Sequence, residues 1–128
     1  MVTNAVKSIS IICLFAALVF VAGCGDQKHY ELIGRRARHT YMVYVPREYA
    51  DDLSVYEQAI RDIARDPRDV CIVMFWNDRS QVWRRNQPDM TIQQEAARVA
   101  GYHRDPDSGL NNFYWLRDGD RIDVGPVE

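Results

Sequence analysis

The sequence predicts a small α+β domain in the order β-α-β-α-β-β, with its helices packed on one face of a three- to four-stranded sheet. Three observations carry that expectation. Apolar runs of strand character occur at 39–45 and 70–76. Two capping spacings, Ser54-x-x-Glu57 and Thr91-x-x-Gln94, open helical patterns between and after them. An Asp118-Gly119 pair separates two strand-like runs near the C-terminus, which is a strong hairpin signal.

The elements follow in order. In the segment His39 to Val45, Tyr41, Val43 and Val45 alternate with Met42 and Tyr44, and Pro46 closes the run. Both faces are apolar, as in a strand covered on two sides. The helix expected after Ser54 places Val55, Ala59, Ile60, Ile63 and Ala64 on one face and Arg61, Asp62, Arg65 and Asp66 mostly on the other. Pro67 disfavours helical geometry at Asp66 and sets the end. The run Val70 to Trp76 has no polar residue and reads as the central strand. The second helical pattern uses Ile92, Ala96, Val99, Ala100 and His103, with Gly101 as a weak point in its last turn. Asp105-Pro106-Asp107-Ser108-Gly109 is a turn. The segments 112–117 and 120–124 form the hairpin about Asp118-Gly119. The adjacent Phe113, Tyr114 and Trp115 must point to alternating faces.

The N-terminus is organised differently. Lys7 lies in a short basic region, an apolar stretch runs from Ile9 to Phe20, and Val21-Ala22-Gly23-Cys24 follows. Counted to Ala22 the apolar stretch is 14 residues, short of the ~20 needed for a helix to cross a bilayer. These residues resemble the lipobox signal of bacterial lipoprotein precursors, over residues 1–24 only. The resemblance implies cleavage between Gly23 and Cys24, a diacylglyceryl group on the Cys24 sulfur, and acylation of the new amino group. The membrane is then a partner through the acyl chains of Cys24. The resemblance further implies a place in the bacterial cell envelope. Gly25 after the cysteine favours, in enteric-type sorting, the outer membrane with the domain facing the periplasm.

Three segments follow from this: a signal peptide at 1–23, a lipidated N-terminus and tether at 24–38, and a globular domain at 39–128. The stretch from Cys24 onward has 105 residues, enough for one core. It keeps 15 basic and 18 acidic residues, a formal charge of −3, which argues against nucleic acid as a partner. Extended at ~3.3–3.6 Å per residue, residues 25–38 would reach up to about 50 Å from the membrane. Their basic cluster Arg35-Arg36-Ala37-Arg38 is suited to anionic head groups.

Chemistry-bearing residues are few. With Cys24 acylated, Cys71 is the only thiol after the cleavage point, and no intramolecular disulfide is available. Its apolar run reads as a buried strand position. The segment Asn77 to Asp89 is the candidate ligand-binding loop. It follows the central strand and holds Asp78, Arg79, Trp83, Arg84 and Arg85, with a ring for stacking and guanidinium groups that fork onto carboxylates or phosphates. Its ligand would be an envelope component: peptidoglycan, a lipid head group or a protein. His29, His39 and His103 occur in no metal-ligand spacing, and no cofactor motif is present. Two readings of function remain open. One is a non-enzymatic binding or accessory domain; the other is a small envelope enzyme, thiol-dependent or hydrolytic, using Cys71.

Overall fold

A computed structural model of the chain describes residues 27–128. The expected signal segment and Cys24 lie outside the described residues. The fold is one six-stranded mixed sheet with strands in sequence order: β1 (Glu31–Arg36), β2 (Thr40–Tyr44), β3 (Cys71–Trp76), β4 (Arg98–Asp105), β5 (Leu110–Arg117) and β6 (Asp120–Gly125). Neighbours pair antiparallel except β2 and β3, which are parallel. That single parallel pair needs a crossover. Helix α1 (Leu53–Ile63) supplies it.

This corrects the expected architecture. Among the described residues the sheet has six strands rather than three or four, and α1 is the one helix of full length. Two strands account for the difference. The first, β1, forms within the segment read as tether, because Glu31–Arg36 pairs with the β2 edge through a bulge between Leu32 and Gly34. The second, β4, forms where the second helical pattern was expected to continue. Helix α2 (Ile92–Ala96) stops after five residues, and Val99, Ala100 and His103 are strand residues. Spacing that fits a helix also places Ala100 and Tyr102 on one face of a strand. Pairing with both β3 and β5 decides in favour of the strand.

The helices also lie on opposite faces. On one face α1 buries Val55, Tyr56, Ala59 and Ile60 against Val43, Val73, Phe75, Ala100, Tyr102 and Phe113. Burying a large apolar side chain completely contributes roughly 1.5–3 kcal/mol, so this layer dominates stability. Tyr56 is its centre, in edge contact with Phe75 and Trp115 at centroid distances of 5.0 and 4.9 Å. On the other face Met42 and Trp76 pack with Val82, flanked by Trp83, Met90 and Ala97 from the segment between β3 and β4.

The caps are partly as expected. At α2 the Thr91/Gln94 capping box forms in both directions. At α1 the capping residue is Asp52, whose carboxylate accepts from the Ser54 amide; Ser54 is not the cap. The Asp118-Gly119 turn has φ values of 52° and 81°, the left-handed pair a type I′ hairpin turn requires. Within β5, Phe113 and Trp115 face α1. Tyr114 faces the opposite side and lies over Gly101, where a Cβ would come within 2.2 Å of its hydroxyl. The weak point in the expected helix is thus a close approach between two strands.

Candidate functional site

The expected binding loop is built from a 3-10 turn at Arg79–Gln81 and an irregular stretch leading to α2. Asp78 caps the turn, accepting from the Ser80 amide and hydroxyl at 3.0 and 2.7 Å. Those two bonds, the hydroxyl first, hold its carboxyl below the usual carboxylate range. Arg79 pairs with Glu31 on β1. Trp83 turns inward. Its ring packs beside the Met42–Trp76–Val82 cluster, and the Arg36 guanidinium lies 3.8 Å from the ring centroid. The ring face is therefore already stacked by Arg36. Arg84 and Arg85 are exposed and, with Arg79, Ile33 and Val82, line a cavity of about 340 Å³. The structure brings the three arginines of the loop together and separates Trp83 from them.

A second concave surface lies on the opposite face of the sheet, between the β1–β2 hairpin and the C-terminal half of α1. Two adjoining cavities, of about 490 and about 500 Å³, share Tyr41, Ile63 and Arg65 and form one trough. Its outer end is lined by Lys28, Tyr30, Glu31, Leu32 and Asp62 beside the shared residues. Its inner end is lined by Arg35, Arg38, His39 and Cys71 together with the α1–β3 connection.

Each wall has a local cause. The β1–β2 turn places Ala37 at a φ of 51°, a conformation that costs a non-glycine residue roughly 1–2 kcal/mol. The Arg35 side chain spans the turn and donates to the Arg38 carbonyl at 2.6 Å. Tyr30 donates to the Asp62 carboxylate at 2.5 Å and ties the chain before β1 to α1. Burial, and then that bond, push the Tyr30 hydroxyl far up from its ordinary pKa. Arg104 closes the floor: its guanidinium donates to the carbonyls of Ala64, Asp66 and Asp69 at 3.0, 2.6 and 3.1 Å. Three carbonyls of the α1–β3 connection are thereby satisfied by one cation, which fixes the guanidinium in the floor. Asp66 is held by Arg68, whose side chain and amide bring its carboxyl down to about 2.

Cys71 lies beneath this floor and is 2% exposed. Burial raises its thiol pKa above the ordinary value, and the nearby Arg104 charge opposes the rise only in part. A buried, protonated thiol is a poor nucleophile at neutral pH. His103 lies on the other face of β4: its register partner Ile72 alternates with Cys71 along β3.

No family model, no curated protein and no solved structure matches this chain. Among the described residues, no three His, Cys, Asp or Glu side chains come together as a metal site.

Sequence reasoning found part of the trough. The run Arg35-Arg36-Ala37-Arg38 stands out as a basic cluster, but it reads as tether because only pairing with β2 makes it a hairpin. Arg65 and Arg104 carry no local signal. Their position depends on how α1 crosses the sheet.

Proposed function

We propose that this chain is the precursor of a bacterial envelope lipoprotein, and that its domain is a non-enzymatic binding or accessory module held at a membrane by acyl chains on Cys24. The observation that carries the reading is Val21-Ala22-Gly23-Cys24 directly after an apolar stretch. The domain's own chemistry supports the non-enzymatic part. Cys71, although it borders the trough, is 2% exposed and its thiol pKa is raised by burial, and guanidinium groups line both concave surfaces.

The described fold shortens the tether. With Glu31 already in β1, residues 24–30 alone separate the acylated cysteine from the sheet, a reach of about 20–25 Å rather than the longer spacer expected from sequence. The domain is then a module held close to the lipid surface. An envelope component, as lipid head group, peptidoglycan or protein, is its ligand class, and the outer membrane facing the periplasm is its favoured place in a Gram-negative cell.

The decisive experiment is Cys24→Ala with metabolic labelling by a radioactive or clickable fatty acid. Loss of label and accumulation of the uncleaved precursor are expected. Normal labelling and processing of the variant would overturn the reading.

A further inference from the structure

We propose that the inner end of the trough between the β1–β2 hairpin and α1 binds the phosphate-bearing head group of an anionic membrane phospholipid. The proposal rests on the lipoprotein reading, because that reading places a bilayer within reach of this surface. Lys28 lines the outer end of the trough and is four residues from Cys24, about 15 Å of extended chain. The concave side nearest the anchor is therefore this one.

Charge complementarity selects the ligand. Arg35, Arg38 and Arg65 surround the inner end and are all exposed. Among the described residues every ion pair falls on other side chains. Among the described residues their partners are neutral: Arg35 donates to the Arg38 carbonyl and lies over the Tyr41 ring, and Arg65 donates to the Asp62 carbonyl at 2.9 Å. Of the carboxylates that line the trough, Asp66 is paired with Arg68, Asp62 accepts from Tyr30, and Asp69 lies at the inner end, where Arg35, Arg38, Arg65 and Arg104 outnumber it and Asp66. Three guanidinium groups without an ion-pair partner among the described residues present several N–H donors around one cavity to a tetrahedral oxyanion, and arginine forks onto phosphate in two-point geometry. The outer end has a different character. Leu32 is 47% exposed on the edge strand, with Tyr30, Tyr41 and Ile63 behind it. A ligand that is anionic at one end and apolar at the other fits a trough with guanidinium groups at one end and the exposed apolar edge of Leu32 at the other. A phospholipid has that shape; inorganic phosphate has only the first half.

The test uses the full chain as matured in bacterial membranes, extracted in detergent and examined by native mass spectrometry. It is titrated with phosphatidylglycerol, with phosphatidylcholine of the same acyl chains, and with inorganic phosphate. Retention of phosphatidylglycerol about tenfold or more over phosphatidylcholine is expected, falling toward parity in Arg38→Gln/Arg65→Gln and largely kept in Arg38→Lys/Arg65→Lys. Equal retention of the two lipids overturns the proposal, as does a preference that survives the glutamine pair. Displacement of phosphatidylglycerol by millimolar phosphate would assign the site to a soluble anion and overturn the lipid assignment. The intact mass of the same ions reads acylation of Cys24 separately. An unacylated chain would sink the lipoprotein reading without altering what the lipid titration says.

Discussion

Cys71 shows how a single side chain bears on function. It sits at the start of the central strand, 2% exposed, with its pKa raised first by burial. Thiolate is the form that reacts, and both effects suppress it. In the folded protein Cys71 is expected to react with a maleimide at neutral pH only after denaturant is added. Rapid labelling of the native chain would revive the thiol-enzyme reading. The sequence pointed the right way here, since an uninterrupted apolar run is what a doubly covered strand requires. Trp83 was not legible in the same way. An exposed-looking tryptophan in a polar segment reads as a stacking platform. Only the fold reveals that Arg36, from a strand the sequence did not announce, already lies on the ring.

Among the elements, the segment joining β3 to β4 is the least regular and depends on one residue. Gln94 is 8% exposed. Its side chain accepts from the Thr91 amide at 2.9 Å, exchanges bonds with the Gln87 amide at 2.7 and 2.9 Å, and donates to the Val82 carbonyl. Its own carbonyl accepts from the buried Trp76 indole at 2.8 Å. Gln94→Ala removes the side-chain bonds and strands buried partners, so a loss of about 2–3 kcal/mol in urea unfolding is expected. Faster amide exchange confined to residues 82–94 is expected alongside it. A variant as stable as the parent would show that the segment is held by its apolar contacts with Met42 and Trp76 instead. The capping box made Gln94 visible in the sequence as a helix signal. Its larger part, pinning a loop across the sheet, depends on residues 7 and 12 positions away and had no local mark.

For the whole molecule, pH reports the balance of these contacts. Asp66, Asp78 and Asp123 all have lowered pKa values, caused first by side-chain hydrogen bonds from Arg68, Ser80 and Arg121. A lowered folded value means that the unfolded chain takes up protons first. The stability these groups contribute is present above about pH 4 and is lost as pH falls toward 2. Tyr30, Tyr56 and Tyr102 have raised values, burial being the first cause in each. Their contribution is complete below about pH 10 and is lost as pH rises beyond it, because the unfolded chain ionises first. Cys71, also raised by burial, begins to act in the same sense near pH 8, so the urea midpoint is expected to be level from about pH 5 to 8 and to fall on both sides. A midpoint unchanged down to pH 2 would show that the carboxylate contacts do not persist in solution.

By itself the sequence determined the central strand, the cap at Thr91, the final hairpin and the burial of Cys71. Each is written in neighbouring residues: a run of one polarity, a three-residue capping spacing, an Asp-Gly pair. The tertiary structure decided whether 31–36 is tether or strand, whether 98–105 is helix or strand, and which arginines share a cavity. Those outcomes depend on pairing between segments distant in the chain. An edge strand with mixed polarity, such as Glu31–Arg36, becomes ordered only when a partner takes up its amides and carbonyls. The alternating pattern of 98–105 is compatible with either element until β3 and β5 lie on both sides of it.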